Sequence, residues 1–221
     1  MSRKKRVVDK VFKIFCEGDT EYNYFEYIRK NKKVSLAIRP INMKGGGYAS
    51  FLEQIEGDAN SNCLAKFIVI DGDRALTVQG EREALIKIIN YCKIQNSSKR
   101  IPHVLIIDFP DFEYVACLHT FSFKGQNVEQ YIKRELGYQD IGDFKADDKV
   151  FKALVESGKG SIKQLLSSIN SNTAVVSNVF TVNRSQYEIS VDTKIELDNL
   201  GQKGTNFDDF YKVLNELGVI I

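Results

Sequence analysis

The sequence predicts an α/β fold: a mostly parallel sheet flanked by helices, with helical additions towards the C-terminus. Short apolar, β-rich segments alternate with longer segments of helical spacing, which is typical of βαβ units. The clearest strand candidates, residues 67–70 and 104–107, are apolar throughout, as expected when helices cover both faces of a sheet. The 221 residues, 43% of them hydrophobic and 27% charged, can bury a sizeable core.

The predicted elements follow one another without an internal repeat. Strands are expected at 11–16, 35–42, 65–70 and 104–107, and a helix begins at Asp19 or Thr20. Further helices are expected at 49–55, 81–94, 111–121, 128–136 and 207–217. From residue 149 onward the pattern is helical except over the polar stretch 171–204, where 175–176 and 187–191 could form short strands or an ordered loop.

The domain organisation predicted is simple. Residues 1–10 form a basic tail, and residues 11–221 form one domain. Within that domain, residues 170–205 are expected to be a variable insert or a partner-docking surface that the core does not need.

Charge and composition narrow the function classes. The net charge of +2 gives no bulk attraction to nucleic acid. No apolar run approaches the roughly 20 residues of a membrane helix, and no signal peptide is recognisable, so no membrane partner is expected. Four cysteines without a CxxC pair and only two histidines argue against a structural zinc site and favour the reducing cytoplasm.

Carboxylates gather at predicted strand ends. Glu17 follows the first strand, and Asp71 and Asp73 follow the third. Ligands of open parallel sheets bind beyond the carboxyl ends of the strands, and clustered carboxylates repel one another unless a cation lies between them. Oxygen ligands in an open site suit Mg²⁺ or Mn²⁺. A turn or helix cap is the structural alternative for each of the three.

Four motifs, in order, resemble those of RloB-like proteins. CEGDTEYNYF at 16–25 resembles the opening CEG-x-TE-x-x-YF, and FIVIDGD at 67–73 resembles a strand that ends in D-x-D. PDFEYVACLH at 110–119 is similar to NP-x-FE-x-W-x-x-x-H, and TNFDDF at 205–210 to the closing segment. Departures at Phe109, Asp111, Tyr114, Val115 and the Asn206-Phe207 pair, which lacks the usual Pro, indicate a divergent member.

The resemblance implies a Toprim fold and a Mg²⁺ site held by Glu17, Asp71 and Asp73. It also implies an origin in prokaryotic restriction or anti-phage loci, often beside an ATPase. The function predicted is therefore a Mg²⁺-dependent endonuclease that cuts RNA, tRNA among the candidates, or DNA. Because the isolated chain should bind nucleic acid poorly, an ATPase partner or self-association is expected to activate it.

Four further residues have a functional and a structural interpretation. Glu113 could complete the metal site or complement a helix dipole, and His119 could contact substrate phosphate or be a buried structural residue. Lys44 lies in a glycine-rich loop that could offer N–H groups to phosphate or simply be flexible. Lys145, like Lys159, could neutralise a scissile phosphate or be solvated.

Two other functions stay open at this stage. DGDRALT at 71–77 partly fits the D-x-D-x-x-x-T motif of haloacid-dehalogenase phosphatases, with Asp71 as nucleophile. That motif normally opens its chain, and it leaves Glu17 unexplained. Alternatively, the chain is a non-catalytic or partner-activated binding or sensing subunit of a defence complex.

Overall fold

A five-stranded sheet organises the molecule. The computed structural model describes residues 11–31, 37–58, 62–98 and 101–219; the basic tail at 1–10 and the predicted start of the second strand at residue 35 lie outside them. The strands run in the order β2-β1-β3-β4-β7. The first four are mutually parallel, and β7 is antiparallel to β4. The strands of this sheet are β1 (Val11–Cys16), β2 (Ala37–Asn42), β3 (Ala65–Asp71), β4 (His103–Phe109) and β7 (Gly204–Thr205).

Helices connect the parallel strands and extend the chain beyond them. The helices are α1 (Asp19–Asn31), α2 (Gly47–Gly57), α3 (Arg74–Thr77), α4 (Glu81–Ser97), α5 (Phe112–Leu118), α6 (Val128–Tyr131), α7 (Ile141–Ala146), α8 (Val150–Glu156), α9 (Ile162–Ser168) and α10 (Asp208–Glu216). A π-helical segment, Ile132–Leu136, continues α6, and 3₁₀ turns occur at Ser171–Thr173 and Leu197–Asn199. No helix in the described ranges is long and apolar enough to cross a membrane.

Two hydrophobic cores lie on opposite faces of the sheet. Successive residues of a strand point to opposite faces, so Phe67 and Val69 of β3 join one core while Ile68 and Ile70 join the other. The first core packs against α1, α5 and α10, and the second against α2 and α4. All-apolar strands were predicted for this reason, and the predicted α/β class with a mostly parallel, helix-flanked sheet is confirmed.

The stretch expected to be a dispensable insert is part of the folded core. Strands β5 (Val176–Asn183) and β6 (Glu188–Ile195) form an antiparallel hairpin. Val175 and Val176 are buried in the second core, and the Asn178 side chain donates to the Leu105 carbonyl of β4 at 3.0 Å. These contacts join the hairpin to the second core, whereas residues 170–205 were expected to be a variable insert or partner-docking surface that the core does not need.

Candidate active site at the carboxyl end of the sheet

Three neighbouring parallel strands bring carboxylates to one edge of the sheet. Glu17 follows β1, Asp71 ends β3, and Asp108 lies next to the end of β4, where it is the register partner of Asp71. The Asp71 N–H donates to Glu17 Oε2 at 3.0 Å. Parallel strands thus place Glu17 beside Asp71, as the sequence predicted from their positions at strand ends.

Glu17 is half-buried, and hydrogen bonds hold both its main-chain N–H and its main-chain carbonyl. Its N–H donates to the Val69 carbonyl of β3, and its own carbonyl accepts from the Gly45 N–H. Burial raises the pKa of its carboxyl to about 7, while the Asp71 N–H and the charge of Arg74 act in the opposite direction. A carboxyl with this pKa exists in both protonation states near neutral pH, as a proton-transferring group requires.

Asp71 has a structural role that the sequence left open. Its Oδ1 accepts from the N–H of Phe112, the first residue of α5, at 2.9 Å, and its carbonyl accepts from the Tyr48 hydroxyl. Burial first, then the charges of Glu21 and Glu113, raise its pKa well above the usual aspartate range. One carboxylate oxygen therefore stabilises a helix N-terminus.

The turn after β3 presents Asp73 without making it a helix cap. The Asp73 side chain makes no capping hydrogen bond to α3, so the structural alternative of a cap does not apply to it. Gly72 lies so close to β4 that an added Cβ would stand 2.9 Å from a ring carbon of Phe109. This close packing fixes the main chain between the two aspartates.

Two further acidic residues, Glu21 and Asp111, join this cluster. Glu21 of α1 and Asp108 are buried, and each has a carboxylate oxygen, Oε1 and Oδ2 respectively, with no partner among the described residues. Burial raises the pKa of Asp108 to about 8 and that of Asp111, the N-cap of α5, to about 6. Asp108 could have been found from the sequence, because it too ends an apolar strand.

Glu113 is buried and already paired. Thr20 Oγ1 donates to its Oε1 at 2.6 Å, and Lys145 Nζ lies 2.9 Å from its Oε2. Partial burial acts against the charge on Lys145, but Glu113 and the neighbouring aspartates raise its pKa above the usual lysine range. Glu113 therefore contacts Thr20 and Lys145 in this structure, and the roles predicted for Glu113 at a metal and for Lys145 at a phosphate stay predictions.

Two N–H groups of the loop that contains Lys44 are hydrogen-bonded within the chain. The Lys44 N–H donates to Asn42 Oδ1 at 2.8 Å, and the Gly45 N–H donates to the Glu17 carbonyl. The Lys44 side chain is exposed. These two N–H groups are therefore not offered to a phosphate, and Gly45 instead anchors the loop to Glu17.

His119 lies away from the acidic cluster, in an aromatic core. It is 1% exposed, and its Nδ1 and Nε2 lie 3.0 Å from the Val115 carbonyl and 3.2 Å from the Tyr24 hydroxyl. Burial lowers its pKa to about 4. These contacts match the structural interpretation of His119 rather than contact with substrate.

Carboxylate oxygens are suitable ligands for a hard cation such as Mg²⁺, but the carboxylates of this cluster do not surround one point. Across 11–31, 37–58, 62–98 and 101–219, no group of three or more His, Cys, Asp or Glu side chains is arranged to hold a metal ion. The predicted convergence of Glu17, Asp71 and Asp73 on one ion is absent from this arrangement. The physical reason is that Glu17 Oε2 and Asp71 Oδ1 both accept main-chain N–H groups.

Comparison with protein-family models, curated proteins and solved structures gives no match. The similarity of the four motifs to RloB-like proteins therefore stays a prediction from the sequence.

Proposed function

We propose that this chain is a divalent-metal-dependent phosphodiesterase that cuts nucleic acid at the carboxyl end of its sheet. The observation that carries the proposal is the concentration of acidic groups there: Glu17, Asp71 and Asp108 come from three adjacent strand ends and are joined by residues of α1 and α5. Burial raises the pKa values of these three carboxyls, and the charges of neighbouring carboxylates raise them further. Such a cluster, retained at a cost in stability, is typical of a functional site.

The protein groups have distinct roles in this proposal. Glu17, Asp71 and Asp73 would hold Mg²⁺ or Mn²⁺ only after their side chains rotate towards one point, which they do not surround in this structure. The bound ion would supply charge at the phosphate oxygens and lower the pKa of a bound water. Glu17 Oε2 accepts the Asp71 N–H, so a proton carried by Glu17 resides on Oε1. In the metal-free chain the pKa of Glu17 is about 7, so its carboxyl would release this proton when a divalent cation binds beside it.

A second candidate is a binding or sensing subunit that becomes active only with a partner. It is favoured by the observation that the described carboxylates do not surround a single point, so that a partner or substrate would have to complete the site. An ATPase partner, self-association and a cytoplasmic role in anti-phage defence belong to this proposal and rest on the motif resemblance.

Cleavage assays on the purified chain separate these functions. The substrates are total tRNA, plasmid DNA and single-stranded DNA, each with Mg²⁺ or Mn²⁺ and with EDTA; release of phosphate from p-nitrophenyl phosphate tests the phosphatase alternative. We expect metal-dependent cutting that Asp73→Asn reduces by about 100-fold or more, because one charged ligand is lost. Asp192→Asn, at an exposed position of the hairpin, is the matched control and should cut like wild type.

Each outcome of these assays favours or contradicts one of the candidate functions. Cutting that is equal in EDTA, or unchanged in Asp73→Asn, would contradict the metal-dependent nuclease. Absence of cutting that is restored by a partner ATPase would favour the second candidate. Phosphate release without nucleic-acid cleavage would favour the phosphatase.

A further inference from the structure

A second concave site lies at the far end of α5 from the acidic cluster. It is a cavity of about 410 Å³, and its walls include Thr120, Phe121, Ser122, Tyr131, Glu135 and Lys159. The volume falls in the range of small-molecule sites. Thr120 and Tyr131 are buried parts of the fold, whereas Phe121 and Lys159 are exposed and have no role in the proposed catalytic chemistry.

Main-chain pairing holds an aromatic and a cationic residue side by side at this cavity. Thr120 and Gly160 form an antiparallel bridge, and the Phe121 N–H donates to the Lys159 carbonyl at 3.1 Å. An added Cβ on Gly160 would stand 2.4 Å from the His119 carbonyl oxygen, so only glycine allows this approach. Phe121 is 50% exposed although it is large and apolar. The fold thus presents a ring to solvent on a rigid support.

Three hydroxyl groups in the cavity wall are linked by hydrogen bonds, and the direction of these bonds determines which oxygen can accept from a ligand. Thr120 Oγ1 donates to the Cys117 carbonyl at 2.7 Å, so its proton is used. Tyr131 must then donate to Thr120 across 2.7 Å, and Ser122 must donate to Tyr131 across 2.5 Å. Ser122 Oγ is left with lone pairs only, and it can accept a hydrogen bond from a ligand.

The facing wall carries an acceptor of the same kind. Glu135 lies on the π-helical segment Ile132–Leu136, which directly follows Tyr131. Short π-helical turns are rare and occur often at functional sites. Two acceptors, one aromatic ring and one lysine therefore surround the cavity.

The position of the cavity relative to the acidic cluster is fixed by one helix. Asp111 caps the N-terminus of α5, and Thr120 and Phe121 follow its C-terminus. Seven helical residues span about 10 Å. A flexible strand whose phosphate lay at the acidic cluster could place a neighbouring base in the cavity.

We propose that this cavity binds a nucleobase of a single-stranded nucleic acid together with its phosphate. Phe121 stacks on the base, as aromatic side chains do in single-strand binding proteins. Lys159 neutralises the adjoining phosphate, and Ser122 Oγ and Glu135 accept from an exocyclic amino group. The ligand class is thus an amino-bearing base such as adenine. The choice of a strand rather than a free nucleotide rests on the proposed function.

Binding of labelled octamers tests this site without catalysis. Fluorescence anisotropy is measured in EDTA with the full chain, using oligo(A), oligo(U) and an RNA duplex, with AMP as competitor. We expect oligo(A) to bind at least tenfold more tightly than the duplex or AMP. Phe121→Ala should weaken oligo(A) binding by about tenfold or more, while Phe121→Tyr retains it. Ser122→Ala should remove the preference for oligo(A) over oligo(U).

A control variant and a measurement of thermal stability accompany the binding assay. Leu166→Ala also shortens a partly exposed apolar side chain and should leave binding within twofold of wild type; thermal midpoints verify that the variants fold. Unchanged binding in Phe121→Ala, or no oligo(A) binding by wild type, would overturn the proposal. AMP binding as tight as oligo(A) would overturn the strand as occupant. Because these measurements exclude metal, a failure of cleavage alone contradicts the nuclease but not this cavity.

Discussion

Asp108 shows how a single buried carboxyl makes stability depend on pH. It is fully buried, accepts from Thr205 Oγ1 through one oxygen, and leaves the other without a described partner. Its pKa in the folded state is about 8, against an ordinary value near 4. The folded chain therefore holds a proton that the unfolded chain releases, and stability is lost as pH rises from about 4 through about 8.

Asp108→Asn should remove this pH dependence. Urea unfolding in EDTA at pH 5.5 and pH 8.5 should show the variant gaining on wild type by on the order of 3 kcal/mol between the two conditions. Asp192→Asn, at an exposed site, should track wild type. A constant difference between Asp108→Asn and wild type at both pH values would show that Asp108 is ionised in the folded state.

At the residue scale, strand position made part of the site predictable. Glu17 and Asp71 were found because each follows an apolar run, and parallel strands end at one edge. Asp108 satisfies the same criterion, since it follows the apolar run 104–107, but it was not singled out from the sequence. The pairing of Glu113 with Lys145 joins residues far apart in sequence, and no local pattern encodes such a contact.

At the scale of elements, the β5–β6 hairpin depends on one buried polar network. Asn178 donates to the Leu105 carbonyl at 3.0 Å and to Asp209 Oδ2 at 2.9 Å, and it accepts from Thr193 Oγ1 at 2.8 Å. These bonds join the hairpin to β4 and α10. Loss of the amide would leave buried partners unsatisfied.

Asn178→Ala should therefore destabilise the whole domain. Chemical denaturation should show a loss of about 2–3 kcal/mol. Val179→Ala, the next residue on the same strand but exposed, should cost only about 0.5 kcal/mol. Equal, small losses in both variants would mean that the hairpin is independent of the core.

The elements differ in how well local sequence specified them. The inner strands were predictable because they are apolar on both faces. The hairpin was left open because only one face of β5 is covered, so its buried and exposed residues alternate. The π-helical segment and the end of α5 at Leu118 were not predicted, since the Thr120–Gly160 bridge and tertiary packing determine both.

In the molecule as a whole, the two hydrophobic cores determine where the acidic site can lie. Helices on both faces leave the carboxyl ends of β1, β3 and β4 as the place where acidic side chains collect. The cost of that collection is relieved most directly by a divalent cation. We therefore expect the acidic cluster to bind such an ion.

Binding of a divalent ion is measured by thermal unfolding with Mg²⁺ and with EDTA, at pH 8 and equal ionic strength. An ion present at about 100 times its Kd stabilises the folded state by about 2.7 kcal/mol, and the midpoint should rise by about 5–10 °C. The Asp71→Asn, Asp73→Asn double variant keeps the hydrogen-bond acceptor for Phe112 but should lose this rise, whereas Asp192→Asn should retain it. An unchanged wild-type midpoint, or an equal rise in the double variant, would contradict the account.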